Sequence, residues 1–176
     1  HDPLAQSILI CTDIDFANAV EKSVENFLVT LPRANIAGRS WKEFGAIICV
    51  SNISEVPELV DRLAPEHLEL AVDNPEELMS KIQNAGAIFL GRYSPEALGD
   101  YLAGPSHVLP TSGSARFSSG LGVLDFLKRS SIIGCDAEGL SALSEDGEVL
   151  ASAEGLDAHK LSFSIRSSSN SKGMSG

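Results

Sequence analysis

Four short apolar runs, set apart by segments with helix-like patterning, constrain the fold of this chain more than any other feature. They are QSILICT (Gln6–Thr12), AIICVS (Ala46–Ser51), Leu68–Val72 and AIFL (Ala87–Leu90). Each is the length of a buried strand and too short for a buried helix. Between the first two, Phe16, Val20, Val24, Phe27, Leu28 and Leu31 recur mostly at spacings of three and four. That spacing predicts an amphipathic helix over Asp15–Leu31, stopped by Pro32. Ser54 is placed to cap a helix through Leu63, with Glu55 and Glu58 in its first turns. Asn74-Pro75-Glu76-Glu77 starts another helix, with Pro75 near its first position, running to about Ala85. Strands that alternate with helices predict a largely parallel sheet. Ligand sites in such sheets gather at the carboxyl ends of the strands.

Beyond Thr111 the pattern changes. Ser112–Gly122 (SGSARFSSGLG) is rich in Ser and Gly and reads as a loop or hinge. Val123–Arg129 is apolar with interspersed charge. Leu140–Arg166 predicts one or two helices, with Asp157 as a cap for the helix that carries His159. This tail has too few apolar residues for a core of its own, so it is expected to pack on something else. The last ten residues, SSSNSKGMSG, read as disordered. The expected fold class is therefore α/β: a partial Rossmann-like parallel sheet with flanking helices, followed by a small, mainly helical C-terminal tail. The expected organisation is an α/β portion over residues 1–111, a hinge over 112–122, a tail over 123–166 and disorder over 167–176.

Composition narrows the function classes. Hydrophobic residues make up 43% of the 176 and charged residues 21%, which suits a soluble globular chain with a sizeable core. The net charge is −11, and no Lys/Arg cluster exceeds the adjacent pair Lys128–Arg129. The electrostatic footprint of a nucleic-acid binder is absent, and an acidic surface repels anionic membranes. No apolar run approaches the roughly 18 residues of a membrane span. Cys11, Cys49 and Cys135 cannot all pair within the chain. Cys11 and Cys49 lie in apolar runs, where buried free thiols are expected, and this usage points to a reducing cytosol.

The residues able to carry chemistry are few. GDYLAGPSHVLPT (Gly99–Thr111) places Asp100 and His107 on a Gly/Pro-rich loop after the fourth run. Glu66 and His67 adjoin in PEH, a pairing that can supply two bases of different strength. Glu154 precedes His159 by five residues, and His1 opens the chain. Taken singly, each histidine has a plain structural explanation: a strand-boundary His67, a surface-loop His107, a helix-surface His159, a His1 like the end of a tag. One Asp and two His from distant segments can make a zinc site, but that spacing alone is weak evidence. There is no HExxH, paired CxxC or EF-hand loop. Gly113, Gly120 and Gly122 do not follow a strand at the spacing of a dinucleotide fingerprint.

Four blocks in order decide more. APEHLEL, GAIFLGRYSPEALGDYLAGPSHVLPT, ARFSSGLGVLDF and EGLDAHK resemble the C-terminal half of histidinol dehydrogenase, a likeness that runs from HDPLAQS to SFSIR. The resemblance implies a cytoplasmic oxidoreductase of histidine biosynthesis. Such an enzyme oxidises L-histidinol through L-histidinaldehyde to L-histidine, with zinc bound and two NAD reduced in turn. It assigns the acid–base pair to Glu66 and His67. It assigns zinc ligation to His1, Asp100 and His159, together with a Gln three positions upstream of His1 and outside this chain. Substrate contacts carry over to His67, Asp100, His107, Glu154 and His159. The family's NAD contacts lie mostly in an N-terminal half expected to precede this chain, so no NAD-binding residue is assigned. The family forms a homodimer whose C-terminal tail reaches into the partner subunit's site. Taken alone, the chain is expected to bind zinc weakly and to be inactive. One alternative is a non-catalytic oligomerisation or binding module that retains the site residues. Another is a zinc hydrolase in which Glu66 activates water without NAD.

Overall fold

The computed structural model describes residues 1–169. The chain divides into two compact units, one spanning His1–Leu127 and one starting at Lys128.

The first unit is built on two parallel strand pairs. β1 (Ile8–Cys11) pairs with β2 (Ala46–Cys49) in the register Ile8↔Ala46 to Cys11↔Cys49. β3 (His67–Leu70) pairs with β4 (Ala87–Leu90) in the register His67↔Ala87 to Leu70↔Leu90. Two helices connect β1 to β2: α1 (Ile14–Thr30) and α2 (Ala34–Phe44). The Asp13 carboxylate starts α1 by accepting the Asp15 and Phe16 N–H groups. Leu31 ends it, just before Pro32. α3 (Val56–Leu63) leads into β3, and α4 (Pro75–Met79) into β4.

Strand alternation decides what is buried. Ile10, Ile48, Leu68, Leu70, Ile88 and Leu90 all turn to one core, closed by Val50, Val56, Val60 and Leu78. Val60 and Leu70 are 2% and 3% exposed. The odd-numbered residues of β3 and β4, among them His67, Glu69 and Phe89, lie on the opposite face.

Several local expectations need correction. Asn52, not Ser54, caps the segment before α3, and a 3₁₀ turn over Ile53–Glu55 precedes that helix. α4 stops at Met79 rather than near Ala85, because the Asp61 carboxylate captures the Gln83 and Asn84 N–H groups at 2.8 Å each. Asp100 is not on a loop: α5 (Glu96–Tyr101) carries it. Cys49 is exposed and Cys11 only half-buried, and both carry free thiols. The Ser/Gly stretch is mostly loop, with a 3₁₀ turn over Ser114–Arg116. Its Arg116 guanidinium donates to the carbonyls of Arg62 and Gly113.

The second unit is a helix pair, α6 (Ala137–Ala153) and α7 (Asp157–Ser169), joined through Gly155, whose φ of +71° suits glycine. Asp157 is the first residue of α7. Ala151 and Ser144 are buried within the pair. Much of the unit's apolar surface is not: Ile132 and Ile133 are 96% and 92% exposed. The expectation of disorder over 167–176 fails for 167–169, which form the end of α7, and from 170 onward it lies outside the described residues. Among the described residues no helix is long and apolar enough to cross a membrane.

Candidate functional site

Strand β3 opens on His67, and the backbone just before it is clamped by β4. The Gly86 and Ala87 N–H groups donate to the carbonyls of Pro65 and Glu66, both at 2.9 Å. Gly86 is required there: a Cβ at this position would lie 2.5 Å from the Glu66 carbonyl oxygen. The PEH segment is thus held by main-chain bonds and by the absence of one side chain.

Helix α5 supplies the facing carboxylates. Glu96 and Asp100 are four residues apart, so they share one side of the helix. Pro95 sits at the N-cap and has no side chain that can cap. The Glu69 carboxylate takes that part, accepting the Glu96 N–H at 2.5 Å. Because Glu69 and His67 project from the same face of β3, this bond fixes the start of α5 against His67. The close approach also needs Gly99, where a Cβ would lie 2.7 Å from the Phe89 ring. Phe89 in turn stands beside His67, with ring centroids 6.0 Å apart and planes tilted by 37°.

In the resulting corner, His67 Nε2 lies 3.5 Å from Glu96 Oε1. One ligand atom each from His67, Glu96 and Asp100 falls within 4.8 Å of the other two. Among the described residues this is the one such group of three. Burial pushes the Glu96 carboxyl above its ordinary range, and the Asp100 carboxylate pushes it further. His67 works in the opposite direction, while Glu69 adds to the rise. One imidazole nitrogen and two carboxylates that repel each other form a donor set suited to a divalent cation. A divalent cation between the two carboxylates would offset their repulsion.

Of the residues singled out in the sequence, the structure brings together His67 and Asp100, with Glu66 next in chain to His67. His107 is exposed on the loop after α5 and is not one of the three. His1 is exposed at the start of the chain, where its carbonyl accepts from the Arg33 guanidinium at 2.6 Å. Glu154 follows α6 and His159 lies on α7, both exposed within the second unit. Glu96 and Glu69 escape a reading of the sequence alone. The signal that could have found Glu96 is its spacing of four from Asp100, visible once α5 is taken as a helix.

A parallel α/β unit that presents an imidazole and two carboxylates on one sheet face defines a protein equipped to hold a cation or move protons. The chain belongs to the histidinol dehydrogenase family, whose model matches residues 1–167. It is 58% identical over 167 residues to the histidinol dehydrogenase of Rhodospirillum rubrum, covering 94% of this chain and 38% of that protein. It is 54% identical over 170 residues to that of Gluconobacter oxydans, covering 97% and 40%. The crystal structure of histidinol dehydrogenase from Elizabethkingia anophelis superposes with a TM-score of 0.89 at 36% identity, over 98% of this chain and 40% of that one. The chain thus spans about two-fifths of the length of the relatives it matches.

Proposed function

We propose that this chain is the portion of a cytoplasmic histidinol dehydrogenase that carries the acid–base pair and part of the zinc site. The observation that carries the proposal is the meeting of His67 with Asp100 in a member of this family. The overall reaction is the NAD-linked, two-step oxidation of L-histidinol to L-histidine. In this proposal Asp100 holds zinc, with His1 and His159 as further ligands. The corner suits such an ion electrostatically, since the Glu96 and Asp100 carboxylates gather negative charge there while the His67 imidazole stays free as a base. When bound, zinc supplies a Lewis-acid anchor for the substrate and NAD accepts the hydrides.

The chain's own residues then divide the proton work. His67 takes the proton of the substrate hydroxyl, which makes the carbon a better hydride donor; histidine is the side chain most often used as a general base. Glu66 takes a proton from the water that adds to the aldehyde, ahead of the second hydride loss. Asp100, His107, Glu154 and His159 bind and orient the substrate. Glu96 acts on the imidazole of His67 as a positioning residue, a part the Glu69 bond to its N–H prepares.

The site is completed, in this proposal, within a homodimer in which the tail from Lys128 onward serves the partner's site. The exposed Ile132 and Ile133 support this, since so much apolar surface suits a covered position. NAD contacts come from sequence outside this chain, so the chain alone is expected to be inactive. The test is histidinol-dependent NADH formation by the full-length protein, before and after removal of zinc with a chelator. Activity that falls on chelation and returns with zinc supports the proposal. Hydrolytic activity without NAD points instead to a zinc hydrolase, and neither activity to a binding module.

A further inference from the structure

The carboxyl ends of β1 and β2 hold a feature that the proposed reaction does not use. Cys11 and Cys49 are direct register partners on these neighbouring parallel strands. The Val50 N–H donates to the Cys11 carbonyl at 2.9 Å, which locks that register. Neighbouring strands lie about 4.8 Å apart, and register partners project from the same face. That separation falls inside the roughly 4.4–6.8 Å range of Cα spacings found in disulfides.

The face concerned is the one turned away from the core. Ile10, Ile48 and Val50 pack inward, so Cys11 and Cys49 project to the α1–α2 side. An open groove of about 520 Å³ lies there, lined by Ala17, Asn18, Trp41, Ile47 and Cys49 among others. Cys49 is exposed and Cys11 half-buried, so a small solute reaches the pair from solvent. The Cys11 thiol points along the strand ends, with Sγ 3.5 Å from the Asp13 carbonyl.

We propose that Cys11 and Cys49 form a site of reversible oxidation, closing a cross-strand disulfide between β1 and β2 when the protein meets a peroxide. In the first step one thiolate attacks the peroxide oxygen. The O–O bond breaks, sulfur is oxidised to a sulfenic acid, and hydroxide leaves to become water. In the second, the other thiol attacks that sulfur, the S–O bond breaks, and a second water leaves. Two thiols and one hydrogen peroxide give one disulfide and two waters. Local desolvation, then the neighbouring Cys11 thiol and Asp13, push the Cys49 thiol up. Proximity of the two register partners makes the second step fast. A thiol reductant reopens the pair.

The test uses the full-length protein with Cys135 replaced (Cys135→Ser), which removes the third thiol of this chain. After treatment with hydrogen peroxide and alkylation, peptide mapping is expected to find Cys11 and Cys49 linked to each other. The linked peptide is lighter by two hydrogens than the sum of its parts, and dithiothreitol restores both to alkylation. In Cys11→Ser, Cys49 is expected to stop at the sulfenic acid and to be trapped by dimedone. Recovery of both cysteines as alkylated or over-oxidised residues, or linkage of either only to another molecule, overturns the proposal. Circular dichroism of each variant checks that the fold persists. A histidinol assay is not needed, so the outcome is independent of the catalytic proposal.

Discussion

His67 Nε2 lies 3.5 Å from Glu96 Oε1, and the main chain of Glu96 is held in turn by the Glu69 carboxylate. Replacing the acceptor while keeping its shape isolates this relationship. Glu96→Gln in the full-length enzyme is expected to lower kcat about 10- to 100-fold, the usual cost of losing a group that orients a functional imidazole. KM for histidinol should change much less. Steady-state kinetics check this, and an unchanged kcat removes Glu96 from the site's working parts.

The same substitution carries a prediction of opposite sign for stability. The folded-state pKa of Glu96 is raised, by burial first and by Asp100 next. A carboxyl raised in the folded state favours folding most when protonated, and this contribution is lost as pH climbs through the folded pKa. Ionising Glu96 as pH rises therefore works against its surroundings. Glu96→Gln is expected to raise Tm slightly at pH 7 and to leave it unchanged near pH 4. Thermal melts at the two pH values decide it. A lower Tm at pH 7 means that the ion pair with His67 outweighs the repulsion.

Gly86→Ala is expected to damage both fold and site, since its Cβ meets the Glu66 carbonyl oxygen at 2.5 Å. Forcing such a contact costs about 1–3 kcal/mol, and the shift passes directly into the Glu66–His67 backbone. Chemical denaturation and kcat should fall together. A variant that loses stability with full activity shows that the clash is absorbed away from the Glu66–His67 backbone.

Leu70 tests the core beneath the site. It is 3% exposed, three residues along β3 from His67. Leu70→Ala is expected to destabilise the first unit by about 2–5 kcal/mol through lost burial and a cavity. The chain has a single tryptophan, Trp41 on α2, whose fluorescence in a urea titration follows that unit.

Much of this architecture can be read from the sequence because strands and helices announce themselves through periodicity. β4 occupies Ala87–Leu90 as expected, and α1 runs within a residue of its expected bounds. α2 is harder to see. Its buried position is filled by Ser40, whose hydroxyl is satisfied by the Ala5 carbonyl at 2.7 Å, so a hydrophobic template meets a gap there. α5 is hidden by Gly99 and by a Pro95 cap that works only because Glu69, on another strand, supplies the carboxylate. That long-range bond is what turns Glu96 toward His67, and no local window of sequence contains it. The sequence offers His67 and Asp100 only as separate candidates, and their joint role rests on the family resemblance, because 33 positions separate them in the chain and only the β3–α5 contact joins them.

In the proposal above, histidinol is oxidised at the His67 corner. The most direct measurement is histidinol-dependent NADH formation by the full-length protein, wild type against His67→Ala, at matched zinc content. The wild type is expected to form two NADH per histidinol, and the variant to be slower by about 10²- to 10⁴-fold, as for loss of a general base. A variant with an undiminished rate, or a wild type that forms no NADH, contradicts it.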